Sequence, residues 1–294
     1  MSSRAYTEWR PALAPGRQVA CLWTRRNAGG AEYGQLVVPD GCVDLVWSEA
    51  GLEVVGPDNA PRSVPVRSGA ELAGLRLRPG AGGLLLGEVP VRELCDRQVP
   101  LAELAGAATA ERLGERLARA PGLREAAAEL DAFAASLAPG RPPDRVVERA
   151  VAALGRAQGA RVPELAAELG LSERQLRRRV TDAVGYGPKT LHAVLRFQRA
   201  LAFARADRDG AVAGDGGVAG ERERERGACA DRCAAGYGAG AGSGLAEVAV
   251  RAGYADQAHL TREVRRWAGV PPTVLLGRTA RPGGAVGQDS GAAS

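Results

Sequence analysis

Lysine is almost missing from this 294-residue sequence: its 39 basic residues are 38 arginines and Lys189. With Ala, Gly and Pro abundant, this points to a GC-rich coding bias, so an arginine cluster alone says little about nucleic acid. Histidine is nearly as scarce, with only His192 and His259. The sequence has no G-x-S-x-G turn, no phosphate-binding loop and no metal-spaced ligand cluster, which removes the common hydrolytic, nucleotide-dependent and metal-dependent enzyme classes. The five cysteines, Cys21, Cys42, Cys95, Cys229 and Cys233, are an odd set. Their one close pair, Cys229-x3-Cys233, lacks the further ligands that a zinc site needs. Inert thiols in a reducing cytoplasm are expected. No run approaches the ~20 apolar residues of a membrane span, and MSSRAYTEWRP has no apolar signal core. A cytoplasmic protein without cofactor, metal or membrane association is the expectation.

What is present is ordinary in bulk and uneven in distribution. An apolar content of 45% and a charged content of 25% suit a soluble globular chain, and 294 residues can build two cores. Residues 1–140 carry 15 Arg against 17 Asp and Glu, a net of −2; residues 141–294 carry 24 Arg and Lys against 17 Asp and Glu, a net of +7. A polyanionic partner is expected at the C-terminal half.

Residues 15–80 predict β-structure. QVACLWT, GQLVVP, CVDLVW, LEVVG and LAGLRLR are short Val/Leu/Trp runs punctuated by Gly, Pro and Asp, as in a compact sandwich or barrel. From Leu101 the periodicity turns helical, in LAELAGAATAERLGERLARA and LREAAAELDAFAASLA. Pro139-Gly140-Arg141-Pro142-Pro143 reads as a linker, after which Asp144 caps a helix through Ala157. The expected class is α+β: a β-rich sensor or regulatory domain over 1–105, a helical connector and linker over 106–143, an all-α domain over 144–279 and a disordered tail over 280–294. Residues 207–244 hold 11 glycines, an alternating Glu-Arg run and few large apolar side chains, and predict a disordered loop.

The C-terminal half repeats itself. Leu176, Val180, Gly185, Pro188 and Leu191 recur 84 residues later as Leu260, Val264, Gly269, Pro272 and Leu275. Upstream, Ala166 and Gly170 match Ala249 and Gly253, and Ser172 matches Asp256. Each copy reads as helix, tight turn, helix: a small Ala where the helices approach, a Gly to turn the chain, a Ser or Asp to cap the second helix. With Leu176/Val180 and Leu260/Val264 as buried stripes, the outward residues are Arg174, Arg177 and Arg178 in the first copy and Gln257, Ala258, Thr261 and Arg262 in the second. Arg suits guanine and Gln suits adenine in the major groove. Arg179, Arg265 and Arg266 lie further round or further along, where phosphates are reached.

Two such motifs in one chain, GLSERQLRRRV…GYGPKTL and AGYADQAHLTREVRRWAGVPPTVL, resemble the DNA-binding domain of the AraC/XylS family of bacterial transcription regulators. The resemblance covers about 146–278. It implies a seven-helix domain in which one long helix, here Pro188–Arg205, sets two reading helices in successive major grooves, with Lys189 among the phosphate contacts. His259-Leu260-Thr261 stands where many members carry aromatics, and about 35 extra residues separate the long helix from the second motif. The stretches VVPDGCVDLVWSEAGLEVVGP and GLRLRPGAGGLLLG resemble the N-terminal domain of one subgroup of unknown ligand.

The N-terminal polar groups Asp40, Asp44, Arg76 and Arg78 are the ligand-contact candidates, although Asp40 in Pro-Asp-Gly is also ordinary turn chemistry. The expected partners are double-stranded operator or promoter DNA, an unknown small-molecule effector, RNA polymerase for an activator, and a second copy through residues 101–138. Two rivals stay open: a DNA-repair enzyme using Cys42 as a methyl-accepting thiol, and an interaction adaptor that has lost DNA binding.

Overall fold

The computed structural model describes residues 4–156, 159–213 and 244–278. Strands β1 (Arg4–Trp9), β2 (Val19–Asn27), β4 (Val43–Ser48), β5 (Gly51–Val55), β7 (Glu71–Leu77) and β8 (Gln98–Pro100) form one antiparallel sheet in the order β1-β2-β7-β4-β5-β8. Strands β3 (Tyr33–Val37) and β6 (Arg62–Val66) pair separately as a two-stranded ribbon. Alternation along the strands gives the large sheet two unlike faces. Leu22, Leu45, Val54, Leu75 and Leu77 point one way into an apolar core. Tyr6, Glu8, Trp23, Asp44 and Arg76 fall on the other. The ribbon is tied to that second side, where Arg25 donates to Tyr33 Oη at 3.2 Å and Gln35 Oε1 at 2.7 Å.

Helices α1 (Gly83–Leu86), α2 (Leu101–Ala105), α3 (Ala107–Ala118) and α4 (Leu123–Leu137) follow the sheet, with a 3-10 turn at Val91–Leu94. Gly106, at φ 83°, breaks the predicted 101–120 helix into α2 and α3. The apolar stripes of α3 and α4, including Leu113, Leu117, Leu130 and Phe133, join the sheet in one core. One polar residue locks this layer. Asp131 of α4 is 2% exposed and accepts from the backbone N–H groups of Ala12 at 2.8 Å, Leu13 at 2.9 Å and Ala14 at 2.9 Å.

The remaining helices are α5 (Arg145–Leu154), α6 (Val162–Glu168), α7 (Glu173–Val184), α8 (Pro188–Ala213), α9 (Leu245–Ala252), α10 (Gln257–Ala268) and α11 (Pro272–Arg278). Asp144 caps α5 as expected, accepting from Val146 N and Val147 N. These helices share a second core built around Phe197, Leu201 and Phe203 of α8. Two expectations need correction. Helix α8 runs 26 residues to Ala213 rather than stopping at Arg205, and residues 207–213 are therefore helical rather than loop. At the start of this extension lies a long-range ion pair that composition cannot reveal: Asp207, 5% exposed, accepts from Arg251 of α9 at 2.7 Å. The rest of the 207–244 segment from 214 to 243, with Cys229 and Cys233, and the 280–294 tail lie outside the described residues. Among the described residues no helix is long and apolar enough to cross a membrane.

Candidate nucleic-acid interface

The 84-residue repeat is realised as two helix-turn-helix units, α6–α7 and α9–α10. The backbone repeats as closely as the sequence. Gly170 and Gly253 take φ of 69° and 86°, a left-handed geometry that favours glycine. Leu171 N donates to Ala166 O, and Tyr254 N to Ala249 O, each at 2.9 Å. Ser172 accepts from Gln175 N and forms a full capping box with the Gln175 side chain. Asp256 accepts from His259 N at 2.6 Å. Each second helix ends on a left-handed glycine, Gly185 or Gly269, and the repeated proline opens the helix that follows. Leu176 and Leu260 are buried, with Val180 and Val264 beneath them.

Burying those stripes turns the other positions outward. Arg174, Arg177 and Arg178 on α7 and Gln257, Ala258 and Arg262 on α10 are exposed. Among the described residues, Arg174, Arg177, Arg178, Arg262 and Arg265 make no ion pair, whereas much of the remaining arginine is paired with carboxylates. Thr261 is half-buried, and its hydroxyl donates to Gln257 O at 2.8 Å. Arg179 is engaged elsewhere, donating to Asp144 Oδ2 at 2.6 Å. Arg266 lies 3.7 Å from Glu263 and over the Trp267 ring at 4.6 Å. Lys189 and Arg177 line a recess of about 230 Å³ with Thr190 at the start of α8, where helix N–H groups are free of intrahelical partners.

The N-terminal candidates Asp40, Asp44 and Arg76 converge, although 36 residues separate the outermost two. Arg76 Nε donates to Asp44 Oδ1 at 3.0 Å, and Asp40 Oδ2 lies 3.7 Å from Arg76. Burial opposes the Arg76 charge, but Asp44 and Asp40 outweigh it and hold the guanidinium protonated. Burial also pushes the Asp40 carboxyl above the ordinary aspartate range, against the pull of Arg76. Trp23 Nε1 donates to Asp44 Oδ1 at 3.1 Å. Arg78 lies apart from this group, with its Nε donating to Gly16 O at 2.8 Å. Cys42 is buried beside Asp40, whose side chain accepts from Cys42 N at 2.8 Å. Among the described residues no group of three or more His, Cys, Asp or Glu side chains is arranged to hold a metal.

Sequence reasoning missed the contact between the two halves. Gln198 Nε2 of α8 donates to Pro39 O at 2.6 Å, Gln18 Nε2 to Arg141 O at 3.0 Å, and Arg17 Nη2 to Glu148 at 2.7 Å. Arg92 pairs with Asp182 of α7. Tyr186, just after α7, is 5% exposed against the Asp40–Cys42 turn, and its hydroxyl has no hydrogen-bond partner among the described residues. Nothing local marks these residues; their partners lie 90 or more positions away in most cases.

The fold and its surface define a two-part protein: a β-rich domain docked on a helical domain with two helix-turn-helix units. A family model described as a domain of unknown function, DUF6597, matches residues 7–100. No curated protein matches the chain. Among solved structures it is similar to ToxT from Vibrio cholerae O395, at 8% identity over 94% of this chain and 98% of that one, with a TM-score of 0.39. It is also similar to wild-type ToxT of strain SCE256 bound to unsaturated fatty acid, at 8% identity over 92% and 90% of the chains with a TM-score of 0.37. A further ToxT structure from Vibrio cholerae matches at 10% identity over 94% and 95% with a TM-score of 0.36. Overlap this loose transfers no residue role.

Proposed function

We propose that the chain is a sequence-specific DNA-binding transcription regulator of the AraC/XylS type. The observation that carries this is the pair of matched helix-turn-helix units whose outward faces present unpaired arginines, in the half of the chain with a net of +7. Arg174, Arg177, Arg178, Gln257, Ala258, Thr261 and Arg262 read bases in the major groove, with Thr261 offering its methyl to thymine. Lys189, Arg265 and Arg266 neutralise phosphates. Arg179 joins them only by leaving Asp144. The β-rich domain receives the signal, with Asp40, Asp44 and Arg76 as its candidate ligand contacts, and the protein works in the cytoplasm.

Selection of duplexes from a random pool, followed by binding measurements, tests the reading. Arg178→Ala and Arg262→Ala should weaken binding to the selected duplex by ~1–3 kcal/mol and barely change binding to random DNA. Equal losses on both would make them phosphate contacts. Failure of the wild type to retain any duplex at low salt would overturn the regulator reading.

A further inference from the structure

The two helix-turn-helix units are pinned to their neighbours at one matched position, with the charges reversed. Arg179 of α7 pairs with Asp144 at the cap of α5 at 2.6 Å. The residue 84 positions later is Glu263 of α10, and Glu263 pairs with Arg196 of α8 at 3.7 Å. The surroundings differ as well. Arg179 and Asp144 are partly exposed, whereas Arg196 and Glu263 are only 17% and 15% exposed. An ion pair shielded from water is screened much less than one at the surface. The Arg196 guanidinium also lies over the Tyr254 ring, 4.5 Å from its centre. Tyr254 occupies the turn between α9 and α10, where the first unit has Leu171. Burial pushes the Tyr254 hydroxyl up to about 12, against the pull of Arg196, so the ring stays neutral and its face attracts the cation.

These contacts bear on one flank of α10. Positions 259 and 263, four apart, share a face. The His259 and Tyr254 rings meet edge to face, with centroids 5.2 Å apart at 84°. Glu263 meets Arg196 and accepts from Trp267 Nε1 at 3.2 Å. That flank lies between the buried stripe, Leu260 and Val264, and the outward positions 257, 258, 261 and 262. Burial of the stripe is non-directional and allows α10 to roll on α8; a charge pair on the flank, seated on a ring, does not. Arg199 of α8 is buried and donates to Ala252 O at the end of α9 at 3.5 Å, so α8 holds both helices of the second unit. A buried ion pair adds little net stability, because taking two charges out of water offsets their attraction; fixing one arrangement is what it can contribute.

We propose that Arg196 is a positioning residue for base choice: touching no base itself, it holds the rotation of α10 through Glu263 and Tyr254, and so decides which bases Gln257, Ala258, Thr261 and Arg262 meet. The consequence for DNA rests on the regulator reading above; the hold on α10 does not. It acts on one half of the duplex only, because α7 is pinned by a different pair.

The double variant Arg196→Met/Glu263→Gln removes both charges at nearly constant size and leaves Trp267 an acceptor. Selection from a random pool by the full-length protein gives the base preference of each half of the duplex, with Arg178→Ala and Arg262→Ala marking the positions that each helix reads. The double variant should lose preference at the Arg262-marked positions by about fivefold or more, the low end of what one misplaced base contact costs. It should keep its preference at the Arg178-marked positions, with little change in thermal stability. Arg196→Lys keeps the charge and should keep the preference. Equal loss in both halves, an intact preference in the double variant, or a lysine variant as impaired as the double one would each overturn the proposal. The hold is also read without DNA. His259 is one of two histidines, so its C2 proton is assigned by comparison with His192→Gln, and the Tyr254 ring current shifts its resonance. That shift should collapse towards the random-coil value in the double variant and persist in Arg196→Lys; a shift unchanged in the double variant overturns the hold. If the wild type retains no duplex, the regulator reading fails, and this resonance still decides whether Arg196 holds α10.

Discussion

Replacing Asp131 by alanine should destabilise the β-rich domain at its edge. The carboxylate accepts three backbone N–H bonds from Ala12, Leu13 and Ala14, at 2.8–2.9 Å, and is itself 2% exposed. A hydrogen bond to a charged group contributes about 1.5–3 kcal/mol net. Ala14 is buried, so its N–H would be stranded and the full value lost; Ala12 and Leu13 are exposed and would recover water, keeping their losses to about 0.5 kcal/mol each. The expected cost is about 3 kcal/mol. Asp131→Asn retains one acceptor oxygen and should lose roughly half as much. Urea unfolding followed by tryptophan fluorescence is the assay, since three of the four tryptophans, Trp9, Trp23 and Trp47, lie in this domain. Trp9 is a sensitive reporter, because Arg124 of α4 stacks on its ring at 4.7 Å. A loss below about 1 kcal/mol for the alanine variant, or equal losses for alanine and asparagine, would refute the reasoning.

Other expectations follow from single contacts. Ser172→Ala and Asp256→Ala each remove a helix cap and should cost about 1 kcal/mol; both should shift one common transition, because α7 and α10 share a core, and two separable transitions would contradict this. The Asp144 carboxyl is held below the ordinary range: burial alone would raise it, but Arg179 and the N–H groups of Val147 and Val146 outweigh burial. A depressed folded pKa stabilises above the unfolded value of about 4 and is lost as pH falls through the folded one. Arg179→Ala should therefore raise the Asp144 pKa in a carboxyl-detected titration, and its stability deficit should shrink as pH falls below the unfolded value; a deficit that does not shrink there would count against the pair. Gly74→Ala would place a Cβ 2.1 Å from Trp23 Cε2, forcing the indole off Asp44 at an expected cost of about 1–3 kcal/mol, visible as altered tryptophan emission and lower thermal stability.

The helix-turn-helix units were legible because every determinant is local and occurs twice. Leu176 and Leu260 fix the buried face, Ser172 and Asp256 cap, Gly170 and Gly253 turn, and each of these reads within a window of about 25 residues. The α+β class was equally legible from the change of periodicity near Leu101. Strands β1 and β6 were not: RAYTEW is a polar edge strand, and RSVPV carries Pro65 inside a two-stranded ribbon, so neither shows the apolar run that marks a strand. The continuation of α8 past Arg205 was not legible because the partner of Asp207 is Arg251, beyond a glycine-rich stretch. Asp40, Asp44 and Arg76 could be named from their chemistry, but only the register that sets Asp44 opposite Arg76 brings them together. Asp131 and Tyr186 escaped notice because each acts on residues more than 90 positions away.

The shared core around α8 has a consequence for the proposed DNA partner. Phe197, Leu201 and Phe203 pack in the same cluster as Leu176 of α7 and Leu260, Val264 and Trp267 of α10, so neither helix can swivel without opening that cluster. Under the proposed function, two helices fixed this way demand half-sites at one helical phase. One base pair inserted between the half-sites would rotate them by roughly 35° about the duplex axis, since a turn holds about 10–10.5 base pairs. Adding a full turn would restore the phase but move the second half-site about 34 Å away, beyond the span of a single rigid body. A duplex recognised as proposed should therefore tolerate base changes more readily than it tolerates a change in spacer length.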